Sequence, residues 1–272
     1  MTKKETIQVK KIKQESFKEN YKNQFTVALE EDDDIIKAKI NKNAKLAFND
    51  VCYINQAIAL KSDRAAYLYD KKIAENYKPV LDGREIKRYQ TNWAGKYLRY
   101  DVDAIHSCKR EDIFTSKEKI FFRRVSSSLI GTLDNKEFYA LNTLIVMNKK
   151  ENVGYNIKFI LGVFNSSFIN YYYSKFLKST KKVFSEIQAR QIGQVPFPNL
   201  NLKNKNDKSL HDDVVKNVDQ LLNLNEELKE VKLASKVDQI QGRIDYCEQR
   251  INEIVCQLYH LTPDDIKVIE NS

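Results

Sequence analysis

The chain has 272 residues, of which 42% are hydrophobic and 31% are charged, and it contains 7 Gly and 4 Pro. This composition supplies a hydrophobic core and excludes wholesale disorder as well as the collagen-like and low-complexity classes. No apolar run approaches the roughly 20 residues that a membrane-spanning helix needs, and no apolar signal segment follows Met1. We therefore expect a cytoplasmic protein that contacts no membrane.

The net charge of +9 comes from the first part of the chain. Residues 1–200 contain 36 Lys and Arg against 23 Asp and Glu, whereas residues 201–272 contain 10 against 14. All but two of the aromatic residues also precede residue 201. A basic, aromatic-rich body favours a polyanionic partner, nucleic acid in particular. A lysine-rich composition also arises from AT-rich genomes, so charge alone is weak support.

The first 200 residues mix strands with short helices in irregular order, which predicts an α+β fold with a mixed or antiparallel sheet. Residues 1–44 are expected to supply the first strands, with a solvated acidic loop at residues 30–34. Strands are also predicted where aromatic and β-branched residues cluster, at residues 97–100, 119–125, 129–133 and 138–147. The last two flank a turn at residues 134–136 and should form a hairpin. Helical spacing of apolar residues predicts a buried helix over residues 156–178.

A turn with two prolines and a polar linker separate this body from a helical tail, so we predict two domains, residues 1–200 and residues 201–272. Seven apolar residues from Val237 to Leu258 form a heptad seam on one helix face. A capping box at Ser235 and Asp238 would begin this helix, and a helix before it would complete an antiparallel hairpin. Thr262 should begin a short last helix. The seam is either a docking surface or, as we favour, the packing face of the hairpin.

No motif marks a catalytic or metal centre. The 4 cysteines and 3 histidines lack metal-ligand spacing, so reduced thiols are expected. Glycine-rich nucleotide loops are absent, as is the Asn/Asp-Pro-Pro-aromatic segment by which amino-methyltransferases hold the target amine. Glu85-Ile86-Lys87 matches half of a Mg²⁺-dependent nuclease motif, but Asp82 is too close in sequence and Glu85 falls in a turn. We interpret this match as chance.

The most distinctive segment runs from Leu81 to Tyr89 and reads Leu-Asp-Gly-Arg-Glu-Ile-Lys-Arg-Tyr. It resembles the Leu-x-Gly-Arg-Asp-Ile-x-Arg-Tyr segment of the TaqI-like C-terminal specificity domain. That domain is the target recognition domain of adenine-specific DNA methyltransferases and of Type IIG restriction–modification enzymes. Further blocks resemble this family in the same order, at residues 118–125, 138–144, 161–172, 194–198 and 256–262. In the last block, His260 stands where the family usually has glycine.

The resemblance implies a division of labour between this chain and other domains. This chain would read a DNA sequence, while a methyltransferase domain would bind S-adenosylmethionine and modify a flipped adenine. An endonuclease domain, where present, would use Mg²⁺ to cut the DNA. We therefore expect double-stranded DNA and the methyltransferase domain as partners, with no cofactor in this chain. The chain would be a fragment of such an enzyme or a separate specificity subunit.

Basic side chains near the motif and polar side chains in loops or at strand ends are the candidate DNA contacts. The predicted phosphate contacts are Arg84, Lys87, Arg88, Lys181 and Lys182. The predicted base contacts are Asn55, Gln56, Arg123, Arg124, Ser126, Gln188, Arg190 and Gln191. The alternative for each is a surface residue or a turn hydrogen bond. Under that alternative Arg84 and Tyr89 brace the turn through Glu85 or Asp82. For Trp93 we favour a place in the core over a role as a wedge that stacks on bases.

Two functions of other classes stay open on sequence alone. The chain could be a docking scaffold that acts through its tail helices, or a stand-alone nuclease that uses Glu85 and Lys87. A monomeric tail would weaken the first idea, and plasmid DNA left uncut in the presence of Mg²⁺ would remove the second.

Overall fold

The computed structural model describes residues 31–178 and 186–272 of the chain. The strands expected within residues 1–30 and the predicted phosphate contacts Lys181 and Lys182 lie outside the described residues. The helices are α1 (Glu31–Asn43), α2 (Phe48–Val51), α3 (Asp112–Thr115), α4 (Ile157–Asn165), α5 (Ser167–Tyr172), α6 (Ala189–Gly193), α7 (Lys205–Glu230), α8 (Ala234–Leu258) and α9 (Pro263–Glu270). The strands are β1 (Leu46–Ala47), β2 (Cys52–Gln56), β3 (Ala59–Leu60), β4 (Leu68–Tyr69), β5 (Tyr77–Leu81), β6 (Ile86–Lys87), β7 (Gln90–Thr91), β8 (Tyr97–Arg99), β9 (Ile105–Ser107), β10 (Lys119–Arg123), β11 (Gly131–Asp134), β12 (Tyr139–Ala140), β13 (Leu144–Lys149) and β14 (Pro196–Phe197).

Two four-stranded sheets form the centre of the body. The first has the order β11-β10-β13-β2, and all of its neighbouring strands are antiparallel. The second has the order β12-β5-β8-β4 and contains one parallel pair, β12 with β5. Mixed sheets together with the helices confirm the predicted α+β class.

The hairpin predicted between the strands on either side of residues 134–136 is wrong. β11 and β13 do not pair with each other, because both flank β10. The turn itself is present, since the Asp134 carboxylate accepts the N–H groups of Lys136 and Phe138. It carries the chain out of the first sheet to β12, in the second sheet. Turn residues mark where a chain reverses but do not determine which strands then pair.

The first sheet is buried on both faces, and each face contributes to a separate hydrophobic core. Alternate residues of β10, Ile120 and Phe122, face a large core that also contains the helices. Phe121, between them, faces a smaller core shared with the second sheet. Successive side chains of a strand point to opposite faces of the sheet, so those of β10 alternate between the two cores.

Residues 31–43 form a helix rather than the expected strands and acidic loop. Asp33 is fully buried, and its carboxylate accepts the Tyr171 hydroxyl at 2.5 Å and lies 3.4 Å from the Lys175 ammonium. Ile36 and Ile40, at helical spacing, enter the large core. An acidic run indicates solvent exposure only on average, and here one of its carboxylates has partners that stabilise it when buried.

The predicted helix over residues 156–178 is confirmed with interruptions, because α4 and α5 meet at Ser166 and a π-helical turn follows at Tyr173–Leu177. α7 and α8 form the predicted antiparallel hairpin. Ile244, Cys247 and Ile251 of the seam are buried, so the seam is a packing face. The predicted capping box is wrong, because α8 begins after Leu233, which makes no side-chain cap. The Thr262 cap of α9 is confirmed.

The hairpin packs closely on the body at Gly162 of α4. A Cβ atom at this position would lie 2.5 Å from a Val214 methyl and 3.1 Å from a Val218 methyl, both on α7. Residues of α4, α7 and α8 share the large core. The division into two domains at residue 200 stays a prediction. In the part of the chain that the structure describes, no helix is long and apolar enough to cross a membrane.

The four cysteines are free thiols, as expected. Burial raises the pKa of Cys52 to about 12 and the pKa of Cys256 to about 11. Both thiols therefore remain protonated at neutral pH.

Candidate nucleic-acid interface

The turn after β5 exposes Arg84 to solvent. Gly83–Glu85 form a 3₁₀ turn in which the Asp82 carboxylate accepts the Arg84 N–H at 3.4 Å. One oxygen of the Glu85 carboxylate accepts the Asp82 N–H at 2.6 Å, and the other accepts the Ala94 N–H at 2.6 Å. Both oxygens of Glu85 are therefore used to brace the turn. Glu85, the acidic residue of the partial nuclease motif, therefore has a structural role in this turn.

The turn rests on Asn142 and Thr143, which connect β12 to β13. The Gly83 N–H donates to the Thr143 hydroxyl at 2.9 Å. A Cβ at Gly83 would lie 3.0 Å from the Thr143 carbonyl oxygen, so this close approach favours glycine. Arg124 holds the other side of the connection, because its N–H donates to the Thr143 carbonyl at 2.8 Å and its guanidinium to the Asn142 carbonyl at 3.2 Å.

Around this connection the fold gathers cationic and amide side chains that are far apart in sequence. The Arg64 guanidinium donates to Asp82 at 2.7 Å and lies 3.5 Å from the Asn142 side-chain oxygen. Arg64, Arg84 and Lys96 line a groove of about 520 Å³, and a second groove of about 290 Å³ shares Arg64 and extends to Asn142. We call the surface formed by Arg64, Arg84, Lys96, Arg124 and Asn142 the recognition face.

The cations of the recognition face differ in how far their charge is already neutralised. Arg64 pairs with Asp82, Lys96 with Asp70, and Arg124 with Glu186. Arg84 makes no side-chain hydrogen bond or ion pair with any described residue, and the same holds for the exposed Lys87 on β6. A guanidinium without a protein partner keeps its five donors for a ligand.

Several predicted base contacts lie next to Arg124. The Ile187 N–H donates to the Arg124 carbonyl at 2.7 Å, which brings the segment at residues 186–191 beside the end of β10. Gln188 and Arg190 are exposed there and bond to each other at 2.8 Å. Ser126 is half-buried and accepts the Ser128 N–H at 3.4 Å. The fold therefore brings Arg124, Ser126, Gln188 and Arg190 together.

Three predicted contacts make hydrogen bonds inside the protein. The Arg123 guanidinium donates two bonds to the Ile86 carbonyl, at 2.9 and 2.6 Å. The Gln191 amide donates to the Leu177 carbonyl at 2.8 Å. Arg88 donates to the Asn165 carbonyl at 2.7 Å, and its Nε lies 3.5 Å from Glu248 on α8. These bonds tie the motif to the rest of the fold.

Tyr89 anchors the end of the motif in the large core. Its φ of 56° lies in the left-handed region, and its N–H donates to the Gly131 carbonyl at 3.0 Å. Burial raises the pKa of its phenol, which therefore stays neutral at physiological pH. Trp93 is 37% exposed, so it only borders the smaller core through the rings of Tyr97 and Phe138.

We expect Arg123→Gln to lower the free energy of unfolding by about 1.5–3 kcal/mol, because the Ile86 carbonyl loses two charge-assisted hydrogen bonds. Arg84→Gln is the matched control and should change it by less than about 0.5 kcal/mol, because the Arg84 side chain has no partner among the described residues. Urea unfolding of both variants measures the difference. An Arg123→Gln variant as stable as Arg84→Gln would contradict the bracing role.

Asn55 and Gln56 lie in a strand, not in the loop that we expected. Both belong to β2, the edge strand of the first sheet, and pair with Val146 and Ile145. Gln56 is exposed, whereas the Asn55 amide nitrogen is buried without a hydrogen-bond partner in the described structure. Two polar residues in an apolar run suggested a loop, but an edge strand also admits them.

Sequence reasoning missed Arg64, Lys96 and Asn142. Asn142 lies in a block that had indicated the family resemblance, but its position beside Arg64 follows only from the parallel pairing of β12 with β5. Arg64 and Lys96 stand in exposed segments without a motif. They come close together because Arg64 bonds to Asp82 and the Ala94 N–H bonds to Glu85. A motif search does not reveal these contacts.

Comparisons with known proteins agree with this architecture. Residues 78–197 match the TaqI-like C-terminal specificity domain family. A putative type II restriction enzyme and methyltransferase of Methanocaldococcus jannaschii is 30% identical over 142 residues, which are 50% of this chain and 12% of that protein. The type II methyltransferase M.HindII of Haemophilus influenzae is 28% identical over 145 residues, which are 51% of this chain and 26% of that protein. The chain therefore spans only a small part of these relatives.

A solved structure supports the fold. The Type IIL restriction–modification enzyme MmeI in complex with DNA superposes with a TM-score of 0.54 over 84% of this chain and 36% of that chain, at 10% identity. The family match makes residues 78–197 similar to the specificity domains of restriction–modification enzymes, and MmeI has a similar fold.

Proposed function

We propose that this chain binds double-stranded DNA in a sequence-specific manner, as the target recognition domain of an adenine methyltransferase in a restriction–modification system. The observation that carries the proposal is Arg84, a guanidinium that pairs with no described residue and lies on a braced turn beside Arg64, Lys96, Arg124 and Asn142. Cations of this kind bind phosphates, and neighbouring amide and guanidinium groups discriminate base edges.

The two grooves of the recognition face are too small to enclose a duplex. Volumes of about 520 and 290 Å³ admit a phosphate group or a base edge. The duplex would therefore lie across the face, with Arg84 and Lys87 on the backbone. Arg124, Ser126, Gln188 and Arg190 would be near the bases. Arg88, Arg123 and Gln191 would act by holding this surface in place.

The chemistry of modification and cleavage would belong to other domains. S-adenosylmethionine would bind the methyltransferase domain, and Mg²⁺ would serve an endonuclease domain in those enzymes that carry one. In this proposal the chain determines which DNA sequence is presented to the methyltransferase and endonuclease domains. It would work beside them in the cytoplasm.

We expect Arg84→Gln to weaken binding to cognate and non-cognate duplexes alike. The slope of log affinity against log salt should become shallower by about one unit, as the loss of one phosphate contact requires. Fluorescence anisotropy at several salt concentrations measures this. Lys216→Gln, on the exposed face of α7, is the control with the same change of charge. Identical affinities and slopes for Arg84→Gln and the native chain would contradict the proposed contact.

A further inference from the structure

A polar cleft separate from the two grooves of the recognition face lies at the opposite end of the strand pair β2 and β13. It has a volume of about 630 Å³, and its lining includes Tyr53, Arg110, Asn148, Lys149 and Lys150. Tyr53 belongs to β2, and Asn148 and Lys149 end β13. The cleft is open to solvent, since the Tyr53 side chain is 57% exposed on the edge strand.

Lys149 and Lys150 are held at this cleft by contacts that do not neutralise their positive charge. The Lys149 ammonium donates to the Val153 carbonyl at 3.0 Å, and the Lys150 ammonium lies 5.2 Å from the centre of the Tyr53 ring. Neither lysine pairs with a carboxylate of any described residue. Contacts with a carbonyl and a ring restrict a side chain but leave its positive charge to attract an anion.

The acidic groups of the cleft only partly offset this charge. Asp112 is bound to Arg110, so that pair contributes little net charge. Glu151 is exposed and bonds to neither lysine.

The strand pair gives the distance between the cleft and the recognition face. β13 begins at Leu144, directly after Asn142 and Thr143, and ends at Lys149. Five residue steps at a rise of about 3.4 Å separate these ends by about 17 Å. A DNA duplex also rises about 3.4 Å per base pair, so about five base pairs span the same length.

We propose that Lys149 and Lys150 bind the DNA backbone about five base pairs to one side of the sequence contacted by the recognition face. This inference rests on the proposed function and adds a direction to it, because the duplex would run along the β2 edge of the first sheet. The contact would be to phosphates and would not discriminate sequence. Arg110 and the Tyr53 ring would border the backbone at that point.

The test compares Lys149→Gln/Lys150→Gln with Lys216→Gln/Lys232→Gln, a control on the helical tail with the same loss of charge. Each variant of the full chain is titrated with a duplex that extends ten or more base pairs on both sides of its site. Two further duplexes end at the site on one side or on the other. On the long duplex the first variant should have a salt slope shallower by about two units. Removing one particular flank should abolish this difference, and removing the other flank should preserve it.

The outcomes separate the two proposals. If the native chain binds its site specifically and the Lys149→Gln/Lys150→Gln variant matches the control on every duplex, the flanking contact is overturned and the proposed function stands. A loss that does not depend on either flank would also overturn it, because the lysines would then contact the site itself. If the native chain binds no duplex, both proposals fail together.

Discussion

Asp134→Ala is expected to lower the free energy of unfolding by about 3–5 kcal/mol, because it leaves the Lys119 ammonium buried without a counter-charge. The Lys119 and Asp134 side chains are 0% and 2% exposed, and their charged atoms are 2.6 Å apart. Among the described residues, the Lys119 ammonium also contacts the Ser116 carbonyl at 3.4 Å and the Phe121 ring at 5.5 Å. Neither can neutralise it. Chemical unfolding by urea measures the loss.

A double substitution distinguishes the effect of the unpaired buried charge from the effect of losing the hydrogen bonds in the turn. Lys119→Met/Asp134→Asn removes both charges but keeps a side-chain oxygen for the N–H groups of the turn. It should be more stable than Asp134→Ala, because replacing a buried pair removes the unpaired charge that a single substitution leaves. A loss below about 1 kcal/mol for Asp134→Ala would show that the pair contributes little to holding β10 and β11 together.

The affinity of the native chain for its DNA site is expected to fall about 40- to 500-fold when salt rises from 50 to 200 mM. The range corresponds to about three to five phosphate contacts, each of which contributes about −0.9 to the slope of log affinity against log salt. Arg84 and Lys87 should contribute fully, whereas Arg64 and Arg124 already pair with Asp82 and Glu186 and should contribute less.

Anisotropy titrations at four or more salt concentrations give this slope. A duplex of unrelated sequence should show a similar slope at a lower affinity, since the backbone contacts are common to both. An affinity that stays constant over this range would mean that the recognition face does not bind phosphates.

The sequence predicted those features that depend on local periodicity and on turn chemistry. The seam from Val237 to Leu258 identified α8 because a buried helix face repeats every 3.6 residues. The turn that contains Glu85, the Thr262 cap and the helix that begins at Ile157 were found for similar reasons. In each case the deciding contacts lie within a few residues of one another.

Features that depend on long-range pairing could not be predicted in this way. The order of the first sheet places β10 between β11 and β13, although the turn chemistry suggested a hairpin. Asp33 is buried because Tyr171 and Lys175 lie beside it, more than a hundred residues away in the chain. Arg123 resembled a surface contact because its partner, the Ile86 carbonyl, comes from another strand.

The same limit applies to the candidate site. The motif around Arg84 was found from sequence, and the Arg84 side chain is exposed in the structure. Whether it binds phosphate stays a prediction. Arg64 and Asn142 were added to the candidate site only from the structure, because the Asn142–Thr143 connection places them beside the motif. The sequence thus predicted a class of partner and some residues of the candidate surface, while the fold was needed to show which side chains lie side by side.

The most direct test of DNA target recognition is selection of duplexes by the full chain from a randomised library, followed by titration of the enriched sequence. The account predicts that one short site is enriched and binds at least about 1,000-fold more tightly than unrelated duplex DNA at physiological salt. Equal affinity for all duplexes, or a preference for RNA over duplex DNA, would contradict it.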